Sequence, residues 1–163
     1  MFIGLYYSSS NNFVFSTLNP DDMNSNKLKF PLKEIVIDYS DQKRNFTINL
    51  YESPIGGHLL IAKEDKIEHD NGGYQFEAYH ESNVGLALGD LRRKIKKHLS
   101  VRFLEKIAGK NYPRNDELVG LITSGGIVVD GIYIEFEKFS KMLDSYEGFQ
   151  FKLIIKDRLQ EII

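Results

Sequence analysis

Three groups of residues have types that do chemistry. The densest is LGDLRRKIKKHL at 88–99, where five of the seven residues from Arg92 to His98 are lysine or arginine. Arg92, Arg93, Lys94, Lys96 and Lys97 together would suit phosphate, because nucleic-acid affinity grows with the number of cations that neutralise the backbone. The second group is Glu64, Asp65 and Lys66 in LLIAKEDK. Metal-dependent nucleases place acids and a lysine this way to hold magnesium and orient a water. Asp38 or Asp21 would have to supply the missing upstream acid. The third group is the four histidines, His58, His69, His80 and His98, as metal ligands.

Each group also has a plainer reading. At 100° per residue, Leu88, Leu91, Ile95 and Leu99 fall within about 80° of one another, and the basic residues spread over most of the remaining wheel. That is the wet side of a half-buried helix, although a solvated face normally mixes signs for i, i+4 pairing and no acid occurs from Arg92 to His98. Acid-x-Lys triplets are common in loops. The loop KEDKIEHDNGG carries Glu64, Asp65, Glu68 and Asp70 but fails as an EF-hand, since Gly73 in the turn position would put Tyr79 where a bidentate glutamate is needed. Alternation along GYQFEAYH points Glu77 and His80 to opposite faces. His98, at a helix carboxyl end, is expected to be favoured as a cation. The glycine pairs at 56–57, 72–73 and 125–126 are not followed by Lys-Ser or Lys-Thr and read as turns, not phosphate loops. TSGG at 123–126 likewise reads as a hairpin turn and not a serine elbow.

Bulk properties narrow the classes. The chain has 163 residues, enough for one domain with a proper core, and no cysteine, which excludes disulfides, thiolate zinc sites and a cysteine nucleophile. Net charge is −2, so with +5 on residues 92–98 the remainder carries −7, and any attraction for phosphate must be local. No apolar run approaches the roughly 20 residues of a membrane span. A soluble, cytoplasmic protein is expected.

The elements that must position these residues follow from periodicity. FIGLYY and FVFSTL read as an amino-terminal hairpin, and NPDDMNSNK as an exposed connection. EIVIDY, NFTINLY, GHLLIAK and GYQFEAYH alternate with period two and are joined by polar loops, which predicts an antiparallel meander. From Val84 the period becomes helical, with Asn83 or Ser82 as cap, and the helix ends near Ser100 or near Gly109. Asp130-Gly131 between β-branched runs predicts a tight hairpin. Phe136, Phe139, Leu143 and Tyr146 predict one face of a second helix ended by Gly148, and FQFKLII then predicts an amphipathic strand.

The segment VDGIYIEFEKFSKMLDSYEGFQFKLIIKD, with GYQFEAYH and LRRKIKKHLSVRFLE upstream, resembles an uncharacterised family of small bacterial domains to which no function is attached. The likeness covers residues 33–157. Phe136 and Phe149 depart from it, standing where the family pattern often has tryptophan. The resemblance implies a shared architecture and supplies no catalytic residue.

The expected fold is α+β, an antiparallel β-meander sheet with two helices packed on one face. Residues 1–32 form a hairpin-like extension and linker, and 33–163 the α+β domain. The expected function is non-enzymatic binding of a macromolecule, first a protein partner, as an immunity or defence accessory would do. Nucleic-acid binding through Arg92, Arg93, Lys94, Lys96 and Lys97 is the second expectation, and a nuclease-like hydrolase using Glu64 and Asp65 the third. No cofactor and no membrane partner are expected, and a homodimer remains open.

Overall fold

The computed structural model describes residues 28–54, 56–65 and 72–160. The expected amino-terminal hairpin and the loop residues Lys66, Glu68, His69 and Asp70 lie outside them.

Four antiparallel strands come first: β1 (Leu32–Ile37), β2 (Lys43–Glu52), β3 (His58–Glu64) and β4 (Gln75–His80), in the order β1-β2-β3-β4. The register places Ile48 opposite Ala62 and Ala62 opposite Phe76, and Leu50 opposite Leu60 and Leu60 opposite Ala78. One face of the sheet is therefore apolar, with two alanines that leave room for a helix. Helix α1 (Val84–Leu99) lies on it and buries Leu88, Leu91, Ile95 and Leu99 against Phe46, Ile48 and Leu60. Each such side chain contributes about 1.5–3 kcal/mol on burial. Asn83 accepts a hydrogen bond from the Leu86 amide at 3.1 Å and starts the helix. Ser100 ends it, and the Leu99 carbonyl accepts from the Tyr39 amide at 2.7 Å.

The helix thus takes the earlier of its two expected ends. Residues after it form a hairpin, β5 (Leu104–Ile107) and β6 (Lys110–Pro113), turning at Ala108 and Gly109 with φ of 48° and 82°. A three-stranded antiparallel sheet follows: β7 (Gly120–Ile122), β8 (Gly126–Val129) and β9 (Ile132–Glu135). The β8–β9 turn is Asp130-Gly131, as expected, with φ of 50° and 73°. At Gly126 a side chain would sit 2.2 Å from the Ile134 carbonyl, so only glycine fits there.

Helix α2 (Phe136–Leu143) runs into a 3₁₀ turn at Asp144–Tyr146. The class is α+β and the meander is as expected, but α2 does not share the sheet face with α1. That face is already filled, and α2 packs on β8 and β9 in a second core of Phe103, Leu104, Val119, Val129, Ile134 and Met142. Its buried side is Met142 with Phe139, while Phe136 and Leu143, expected inside, are exposed. The expected closing strand is also corrected. Residues 149–155 belong to no ladder among the described residues, and their apolar side chains lie in solvent.

Phe46→Ala is expected to lower unfolding free energy by about 3–5 kcal/mol and Asn83→Ala by about 1 kcal/mol. Phe151→Ala should change it by less than about 0.5 kcal/mol. Urea denaturation followed by circular dichroism measures all three.

Candidate functional site

The chemistry gathers where the two cores meet. At the β1–β2 turn the Asp38 side chain is fully buried. Its Oδ1 accepts from the Ser40 amide at 2.8 Å, the Ser40 hydroxyl at 2.7 Å and the Gln42 amide at 3.1 Å. Its Oδ2 accepts from Arg44 Nε at 2.8 Å. Burial alone would raise this carboxyl, but the hydrogen bonds from Ser40 and Arg44 outweigh it and hold Asp38 below the usual aspartate range. Arg44 continues through Nη1 to Glu64 Oε1 at 3.1 Å, and Glu64 Oε2 accepts from the Tyr74 amide at 3.1 Å. The guanidinium also lies 5.7 Å from the centre of the Tyr74 ring.

The opposite side of the joint is the β8–β9 turn. The Gly73 amide donates to the Gly131 carbonyl at 2.7 Å. Gly131 lies so close to Tyr74 that a side chain there would come within 3.0 Å of the ring. Asp130 is 4% exposed, and its Oδ2 accepts from the Phe103 and Leu104 amides at 2.9 and 2.7 Å. Burial pushes this carboxyl up against the pull of those amides. Burial, followed by the charge of Asp130, likewise pushes the Tyr74 phenol up. Among the described residues Asp130 Oδ1 and Tyr74 Oη, both buried, have no hydrogen-bond partner. Each such orphan costs about 1–3 kcal/mol.

A cleft of about 160 Å³ opens over this joint, bounded by β4, α1, the β7–β9 sheet and residues 156–160. The tail is held there by Arg158 on Glu77 at 2.9 Å and by Lys94 Nζ on the Leu159 carbonyl at 2.6 Å.

The basic helix residues have different neighbours. Arg92 Nε donates to Glu34 Oε1 at 2.7 Å, and Arg93 pairs with Asp90 at 3.3 Å. Lys94 turns toward the sheet, donating also to the Glu77 carbonyl at 3.0 Å. Lys96 is exposed, and Lys97 lines the cleft. Glu64 is engaged by Arg44 and Tyr74. Asp65 pairs with Lys33 at 3.0 Å and accepts from the Thr47 hydroxyl. Among the described residues no three His, Cys, Asp or Glu side chains are grouped to hold a metal.

His58 and His80 are cross-strand neighbours, a pairing that sequence spacing does not reveal. His80 Nδ1 accepts from the Ser82 and Asn83 amides at 3.2 and 3.1 Å, which leaves the proton of the neutral ring on Nε2 and no lone pair for an ion. His98 corrects the expectation of a helix-end cation. Its ring packs 5.4–5.9 Å from Tyr74, Phe76 and Phe103, and burial pulls its pKa down to about 4. Desolvation outweighs the helix dipole here.

Sequence reasoning missed Arg44, Tyr74, Lys156 and Arg158 and read Asp130 only as a turn residue. Burial of Asp130 depends on the Phe103 and Leu104 amides, 27 and 26 residues away in sequence.

Residues 28–100 match the family model described as a domain of unknown function (DUF7686), and residues 100–160 match a second domain of unknown function (DUF7713). The two spans meet where α1 ends. No curated protein and no solved structure matches the chain. Among the described residues no helix is long and apolar enough to cross a membrane.

The unfolded His98 takes its proton near 6.5 and the folded one only near 4. Between those values the unfolded state binds more protons, so stability falls as pH falls, by on the order of 2–3 kcal/mol. Comparing urea midpoints at pH 7 and pH 4, the wild type should lose that much more than His98→Phe.

Proposed function

We propose that the protein is a non-enzymatic interaction module that captures an extended segment of another protein along Phe149–Ile155. The observation that carries this reading is exposure. Phe149 is 72% exposed, Phe151 90%, Leu153 70% and Ile155 68%, on a stretch that joins no ladder among the described residues. Large contiguous apolar exposure marks binding surfaces. A stretch outside any ladder that becomes extended on binding offers main-chain donors and acceptors for affinity and alternate side chains for specificity, the mode of strand addition.

The chemistry of the stretch selects the partner. Lys152 alternates with the apolar residues, and Lys156 and Arg158 follow beyond Ile155. A complementary strand carries apolar residues at alternate positions and acids between them. A second copy would bring like charges together, which opposes self-pairing.

The test compares wild type with Phe151→Asp, a variant expected to keep the wild-type thermal midpoint. A protein captured from source lysate by wild type and lost with Phe151→Asp, whose binding slows amide exchange at residues 150–155, supports the proposal. Equal capture by both chains overturns it. A dimer in multi-angle light scattering that Phe151→Asp dissociates also overturns it, because the segment would then belong to a second copy.

A further inference from the structure

We infer that the cleft over the Tyr74–Asp130 joint binds a nucleoside monophosphate, base inward and phosphate at the rim. The site is separate from the exposed segment at 149–155.

The floor of the cleft carries the argument. Tyr74 is 5% exposed and Asp130 4%, both line the cleft, and Tyr74 Oη and Asp130 Oδ1 have no partner among the described residues. A phenol donates and a carboxylate accepts, so the two would satisfy each other if they met. They do not bond, although Asp130 lies near enough for its charge to act on the phenol. A ligand edge that brings an acceptor to Tyr74 and a donor to Asp130 answers both, and the edge of a nucleobase carries such a pair side by side.

The walls suit a flat ring. Phe76, Val119, Leu121 and Val128 line them, and the His98 ring, packed edge to face with Phe76, adds a ring that is uncharged at neutral pH. The volume fits one ring system and falls short of the 300–1,000 Å³ or so of sites for drug-sized ligands.

The rim is cationic. Lys94, Lys97, Lys156 and Arg158 line it, against Glu77 and Asp157. Arg158 is paired with Glu77, and Asp157 Oδ1 accepts from the Leu159 amide. Lys94 donates to the Glu77 and Leu159 carbonyls, and Lys97 and Lys156 line the same rim, where a phosphate projecting from a bound base would lie.

The variant that separates binding from folding is Tyr74→Phe. It keeps the ring and removes a buried hydroxyl that has no partner among the described residues, so the thermal midpoint of the free protein should stay level or rise. Calorimetric titration of wild type with GMP, AMP, UMP and CMP at low salt is expected to find at least one that binds about tenfold tighter than ribose 5-phosphate. Tyr74→Phe should weaken that nucleotide about tenfold without weakening ribose 5-phosphate. Lys97→Ala with Lys156→Ala should erase the advantage of the monophosphate over its nucleoside. Equal binding of ribose 5-phosphate, inorganic phosphate and the nucleotides overturns the assignment, because the rim would then bind anions alone. Absence of heat with all four nucleotides up to about 1 mM, or a Tyr74→Phe variant that binds like wild type, overturns it as well.

Discussion

One two-residue turn, Asp130-Gly131, joins the halves of this protein. Its left-handed backbone closes the β8–β9 hairpin. The same aspartate accepts the amides of Phe103 and Leu104, a few residues beyond the end of α1, and Gly131 accepts the amide of Gly73. The β7–β9 sheet is thereby tied to the segment just beyond α1 and to the loop before β4. The arrangement is tight because glycine lets the Tyr74 ring approach the turn. A buried carboxylate in this role is high-stakes, since a lost hydrogen bond would leave it desolvated and unpaired.

From the joint outward, electrostatics and packing serve different ends. The relay from Asp38 through Arg44 and Glu64 to the Tyr74 amide is largely buried at its two carboxylates. It fixes the β1–β2 turn relative to the start of β4. The wet charges on α1 are instead distributed among local acids and main-chain carbonyls. The same residue types therefore orient a scaffold on one side of the helix and hold the carboxyl-terminal tail on the other.

The sequence was readable where one local rule decides the structure. Alternation over residues 34–80 revealed the meander, the 3–4 spacing from Val84 revealed α1 with its Asn83 cap, and Asp-Gly revealed the last hairpin. Reading failed where the deciding partner is remote. Ala108 adopts a positive φ that alanine seldom takes, so the β5–β6 hairpin resembled helix. The alternation of FQFKLII reports two unlike faces and says nothing about whether a neighbouring strand exists. His98 was judged by its helix end, whereas its aromatic surroundings come from β4 and the segment beyond α1. The cleft joins residues from 73 to 160, and no spacing rule spans that range.

The bare stretch at 149–155 has a consequence for the chain in solution. An exposed apolar stretch that belongs to no ladder among the described residues is a template on which identical molecules can stack edge to edge. Lys152 within it and Lys156 immediately after it stand where gatekeeping charges interrupt such stacking, since aligned copies would superimpose ammonium on ammonium. Colloidal behaviour would then be governed by two side chains that contribute nothing to either core, and neutralising them by acetylation would expose the chain to fibrous assembly while leaving its fold intact.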